Sequence, residues 1–172
     1  MKQLKNKNVI IDSADIEQLI EQGYDEKSIL EYMQNAVLML FSNEKIEIDD
    51  DKSIEISLSF VSLEEIRTLN REYRSNDKET DVLSFPQFEN VEEIRSELEK
   101  EYTDIFLGDV VISLDKVKEQ SVEFQHSMNR ELVYLFIHSI LHLMGYDHME
   151  EDEKKVMRQK EKDVINELMV EV

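Results

Sequence analysis

Leu132-Val133-Tyr134-Leu135-Phe136-Ile137-His138-Ser139-Ile140-Leu141-His142-Leu143-Met144-Gly145-Tyr146-Asp147-His148 is the stretch around which the chain is organised. Its apolar residues fall nearly all the way round a 3.6-residue period, so residues 127–144 are expected to form a helix buried on most sides. His138 and His142 are four apart and share one helical face, one turn above the other. Gly145 follows where such a helix would stop, because glycine accepts the left-handed conformation that lets a chain leave the axis. The turn it permits can bring His148 back toward the same point.

Three of the four histidines in the protein lie in this stretch. One histidine on an apolar helix is ordinarily a packed core residue. Three at offsets of zero, four and ten, with glycine at seven, read better as ligands. A catalytic zinc keeps three protein ligands and leaves its fourth position to water, so His138, His142 and His148 fit an open zinc site. The offsets are those of the metzincin signature, except that Ser139 stands where those peptidases carry a glutamate general base. Metal-assisted hydrolysis is expected, with a peptidase as a weaker alternative.

Composition narrows the choice. At 172 residues with no cysteine, the chain is expected to be one domain, 1–172, folding without disulfides, and any metal must be held by imidazole and oxygen. Met1-Lys2-Gln3-Leu4-Lys5-Asn6-Lys7 lacks an apolar signal core, and no run approaches the roughly 20 apolar residues of a membrane span. A soluble, cytoplasmic protein with no membrane partner is expected. The net charge of −20, from 40 acidic and 20 basic residues, opposes tight binding to a polyanion. With only Gly23, Gly108 and Gly145, there is no P-loop, dinucleotide fingerprint or nucleophile elbow, and without cysteine no zinc deaminase signature.

The remaining elements follow from periodicity. Val9-Ile10-Ile11 suggests a short strand and residues 13–22 a short acidic helix closed by Gly23. Ile29, Leu30, Met33, Val37, Leu40 and Phe41 mark an amphipathic helix over 26–42. Ile54, Ile56, Leu58 and Phe60 alternate with polar residues as in a half-buried strand. Ser62 and Glu65 form a capping box for a helix reaching about Tyr73. Residues 80–85 read as a strand stopped by Pro86, and 106–113 as another. The segment 89–104 between them is acidic and helix-compatible, and is taken as an exposed excursion rather than a second domain. Helices over 114–124 and 150–169 complete the chain. The expected fold is α+β: a small mixed sheet of three to four strands packed with about five or six helices around the buried histidine-bearing helix.

Arg67, Arg71 and Arg74 form a stripe at i, i+4 and i+7 on the helix opened by Ser62, and Lys78 follows. Guanidinium groups chelate phosphate oxygens in pairs. From spacing alone, however, a solvated face pairing with Glu64, Glu72 and Asp77 accounts for the stripe as well.

Four segments together resemble the YbeY family of bacterial endoribonucleases: Leu69-Asn70-Arg71-Glu72-Tyr73-Arg74 with Asp77; Thr80-Asp81-Val82-Leu83-Ser84-Phe85-Pro86; Leu107-Gly108-Asp109-Val110-Val111-Ile112-Ser113; and His138 to His148. The resemblance implies a zinc-dependent, single-strand-preferring endoribonuclease acting in ribosomal RNA processing, notably the small-subunit 3′ end, and in ribosome quality control. It implies one Zn2+ on His138, His142 and His148, Arg74 as the functional arginine, and single-stranded or ribosomal RNA and the ribosome or its proteins as partners, with no DNA. Ser139 stands where the family commonly has glycine, and Glu79 where it commonly has proline. No general base is identifiable; His126 could reach the cleft, and Asp147 could orient His148. A different expectation is a non-catalytic ribosome-assembly factor whose zinc is structural, closed by a fourth ligand such as Asp147 or Asp109.

Overall fold

The computed structural model describes residues 2–6, 8–101, 103–147 and 149–172, with the backbone alone for 2–6. In chain order the elements are β1 (Lys2–Asn6), β2 (Val9–Ser13), α1 (Glu17–Glu21), α2 (Glu26–Asn43), β3 (Ser53–Phe60) and α3 (Leu63–Arg74). They continue with β4 (Val82–Pro86), α4 (Val91–Leu98), β5 (Asp104–Ile112), α5 (Leu114–Glu123), α6 (Met128–Leu143) and α7 (Glu151–Leu168).

The architecture is α+β, with one mixed sheet in the order β1-β2-β3-β5-β4. The pairs β2/β3 and β3/β5 are parallel, and the outer pairs β1/β2 and β4/β5 are antiparallel. Five strands replace the three or four expected. Lys2-Gln3-Leu4-Lys5-Asn6 has too little apolar alternation to announce a strand, and pairing with β2 makes it one.

The sheet is covered on both faces. On one, Ile54, Ile56, Leu58 and Phe60 of β3 join the large core made with α2, α6 and α7. On the other, Ile66 of α3 meets Leu83 of β4 and Val111 of β5 in a smaller cluster, with Leu69 and Phe85 packed against it. Side chains alternate across a strand. Along β4, Val82 therefore packs in the large core and Leu83 in the small one. As an edge strand β4 tolerates Pro86, which needs no outward N–H.

Helix starts follow their caps: Ser62, Ser113 and Ser127 accept from the backbone N–H of Glu65, Lys116 and Arg130. The segment 89–104 is helical over Val91–Leu98, as its composition allows, and largely exposed, but it is tied to the core on one side. Val91, Ile94 and Leu98 recur at helical spacing in α4, and Ile94 and Leu98 are buried in the main core. Seven helices result among the described residues, the extra one being α4.

Candidate active site at the β4 edge

Two elements on opposite faces of the sheet deliver side chains to the outer edge of β4. Arg74, the last residue of α3, reaches over the edge, and its Nη2 donates to the Ser84 carbonyl at 2.5 Å. Its guanidinium lies 5.2 Å from the Phe85 ring centroid. Below Arg74 the chain leaves α3 through Ser75 in a left-handed conformation, φ 55°. Buried Asn70 fixes the following loop: its Nδ2 donates to the Lys78 carbonyl at 3.0 Å, and its own carbonyl accepts from Asn76 N–H. From the other face, α6 presents His138 and His142. A cleft of about 360 Å³ results, with Arg74, Thr80, Asp81, Ser84, His138 and His142 among its walls.

Within the cleft, Nε2 of His138 and Nε2 of His142 converge to 3.2 Å. Two nitrogens each about 2.05 Å from one tetrahedral ion stand about 3.3 Å apart, so the pair is spaced as zinc ligands are. His148 lies outside the described residues, and among those described no group of three or more His, Cys, Asp or Glu is placed to hold a metal.

The other nitrogen of His138 has a partner the sequence reading missed. His138 Nδ1 lies 2.5 Å from Glu161 Oε2, and Tyr134 OH donates to Glu161 Oε1 at 2.7 Å. Burial by itself would raise the Glu161 carboxyl, but the bonds to His138 and Tyr134 outweigh it and hold the pKa below the ordinary value. An ionised Glu161 accepts from His138 Nδ1–H and turns Nε2 of that ring toward His142, the way a carboxylate orients a metal-binding histidine. The Tyr134 phenol is pushed up, by burial first and by Glu161 second. The signal for Glu161 was present: it falls between Met157 and Ile165 at four-residue steps, a charge inside the apolar stripe of α7.

A profile described as Endoribonuclease YbeY matches residues 12–169. The chain belongs to the YbeY family. An Endoribonuclease YbeY of Clostridium perfringens is 44% identical over 148 residues, covering 80% of this chain and 86% of the relative. One from a Thermoanaerobacter species is 43% identical over 173 residues, covering 97% and 96%. The solution structure of TM1509 from Thermotoga maritima aligns with a TM-score of 0.52 at 27% identity, covering 94% of this chain and 87% of that one.

Ser139 and Glu79, the two positions expected to depart from the family's pattern, are both engaged. Ser139 is fully buried and its Oγ lies 2.5 Å from Ser84 Oγ, tying α6 to β4 beside His138. Glu79 faces Lys116 Nζ at 3.8 Å, which secures the loop after Arg74 onto α5. The rest of the arginine stripe is paired rather than poised: Arg67 Nε meets Asp77 Oδ1 at 2.9 Å and Arg71 Nη1 meets the same oxygen at 3.9 Å. Only Arg74 of the three lines the cleft. His126 is exposed beyond the end of α5 with its ring near Phe124, and it does not line the cleft. Asp109 sits on β5 opposite Phe85.

The turn after α6 is anchored from two sides. Gly145, at φ +97°, packs so closely on residues 89–90 that an added Cβ would lie 2.5 Å from the Glu89 carbonyl oxygen. The Tyr146 hydroxyl donates to the Glu44 carboxylate, which also takes Lys160 Nζ at 3.3 Å. Burial, then the bond to Glu44, pushes the Tyr146 phenol up. Glu44 of α2 and Lys160 of α7 thereby hold the segment that precedes His148.

Proposed function

We propose that this chain is an endoribonuclease that cuts single-stranded RNA in the cleft at the β4 edge, using one zinc ion on His138, His142 and His148 and the guanidinium of Arg74. The observation that carries the reading is the meeting of Arg74 and the histidine pair, from opposite faces of the sheet, across one edge strand. Membership in the YbeY family supports it. A zinc held there would supply Lewis acidity and a water whose pKa falls toward about 7.

The chain's own groups account for the rest. Arg74 holds phosphate oxygens and offsets charge developing on the phosphodiester as it is attacked; its bond to Ser84 and its place over Phe85 aim the guanidinium before substrate arrives. Glu161 and Tyr134 keep His138 in one tautomer and orientation. Neither nearby carboxylate is poised as a general base. Glu161 is already bonded at both oxygens, and Asp81 accepts from Val82 N–H with Oδ1 and from Gln120 with Oδ2. The ribose 2′-hydroxyl or a water is left as the attacking group.

Ribosomal RNA is the substrate class we infer, acting at the small-subunit 3′ end in the cytoplasm. A chain of net charge −20 binds naked RNA weakly, so the ribosome or its proteins supply the remaining affinity. A peptidase is disfavoured because Ser139, at the position of the peptidase base, is sealed against Ser84. The test is cleavage of labelled single-stranded RNA by metal-loaded protein beside His142→Ala and Arg74→Ala. Loss of cutting in both, with metal lost only from the histidine variant, is the expected result. Zinc-loaded protein that cuts no RNA would leave the structural-zinc assembly factor.

A further inference from the structure

Tyr73 is the penultimate residue of α3 and stands 61% exposed, an unusual position for a large aromatic ring beside a charged cleft. It is nonetheless held in place. Its ring meets Phe85 edge to face, with centroids 5.4 Å apart and planes at 77°. Phe85 in turn packs on the small cluster of Ile66, Leu83 and Val111, so the ring beneath Tyr73 is fixed by the sheet. The same Phe85 carries the Arg74 guanidinium at 5.2 Å. An edge-to-face contact that leaves more than half of the Tyr73 surface in water leaves at least one π-face open. Tyr73 stands outside the cleft's lining but immediately precedes Arg74, which belongs to it, and both side chains rest on Phe85.

We propose that Tyr73, backed by Phe85, is a stacking platform for one unpaired base of the RNA, next to the phosphate that Arg74 holds. The proposal rests on the ribonuclease reading above and names its first base subsite. Charge and geometry favour an RNA base over an apolar protein segment. The platform and the guanidinium rest on the same Phe85 ring, and a nucleotide joins a flat π-face to a phosphate through one sugar, whereas an apolar peptide would leave Arg74 unused. Stacking on an aromatic ring is open to every base but only from an unstacked strand, because in a duplex both faces are covered by neighbours. Tyr73 therefore gives a reason for a single-strand preference that involves no reading of base edges, and it adds affinity that does not depend on the charge of an acidic protein.

The experiment measures binding and cleavage of a single-stranded oligoribonucleotide by metal-loaded wild type, Tyr73→Ala, Tyr73→Phe and Tyr73→Trp, with an abasic residue walked through the strand. Tyr73→Ala should raise Kd and KM about tenfold, with kcat nearly unchanged, while Phe and Trp restore wild-type values. One abasic position should weaken wild type by a similar factor and leave Tyr73→Ala no worse, since the partner of the missing base is already gone. Because Tyr73 is mostly exposed, Tyr73→Ala should lower the melting temperature by no more than a few degrees, the cost of one edge-to-face contact, and leave a single cooperative transition, which separates a binding loss from misfolding. Wild-type cleavage with Tyr73→Ala indistinguishable in KM overturns the platform alone. Wild type that neither binds nor cuts RNA overturns the ribonuclease reading and the platform with it.

Discussion

Nδ1 of His138, on α6, and Oε2 of Glu161, on α7, are 2.5 Å apart, and the carboxylate is shielded from water by the two helices it joins. Because the second carboxylate oxygen is taken by Tyr134, Glu161 cannot turn away from the ring. It acts on the site through His138. Glu161→Ala should weaken zinc affinity by about 10- to 100-fold, the usual cost of removing such a partner, and Glu161→Gln by less, because the amide oxygen can still accept from Nδ1–H. Competition with a chromogenic chelator reads both, independently of activity.

Arg74 should behave differently from its neighbours on α3. Arg74→Ala is expected to lower kcat by about 100-fold or more, as loss of a charge-stabilising group at a reacting centre does. Arg67→Ala and Arg71→Ala should stay within about threefold of wild type, since both are exposed and engaged with Asp77. Parallel single-turnover rates on one RNA settle the comparison.

Two glycines should not accept alanine. At Gly108, φ is +147°, and a Cβ would stand 2.4 Å from the Phe85 carbonyl oxygen and 2.9 Å from Leu143 Cδ2, between β4 and α6. At Gly145, φ is +97° and the obstruction is the backbone of residues 89–90. Each Gly→Ala change should cost about 2–4 kcal/mol from backbone strain and clash together. Gly23→Ala meets nothing within 4 Å and should cost only the conformational part, about 1 kcal/mol. Denaturant midpoints at equal slope would show the ordering.

Glu131 lies two turns before His138 on α6 and is 4% exposed. Burial, with a smaller contribution from Asp81, pushes its carboxyl up to about 7. The folded state therefore holds this proton more tightly than the unfolded chain, whose carboxyl titrates near its ordinary value of 4.5. The favourable contribution is full below that value and is lost as pH rises toward 7. Glu131→Gln should match wild type near pH 4 and exceed it in stability above pH 7, by at most about 3 kcal/mol. Thermal melts of the pair from pH 4 to 8 would show a widening gap; a constant gap would mean that this carboxyl titrates alike in the folded and unfolded chain.

The sequence alone determined what depends on local period and local chemistry. The buried pattern from Leu132 to Leu143 dictates a helix whatever surrounds it, and a helix places His138 and His142 on one face with no further information. Ser62 announces a helix start because a cap is satisfied within three residues. Tertiary structure decided everything that needed partners distant in sequence. β1 becomes a strand only by pairing with β2, and Ile94 and Leu98 of α4 are buried by joining the main core. Glu161 shows in sequence only as a charge inside the apolar stripe of α7, and its partners His138 and Tyr134 appear once α7 packs on α6. Arg74 and Arg67 look alike in sequence, yet one bonds the Ser84 carbonyl at the sheet edge and the other bonds Asp77. The edge position of β4 separates them: it lets a residue from one face of the sheet reach histidines on the other, a relation set by strand order rather than by spacing along the chain.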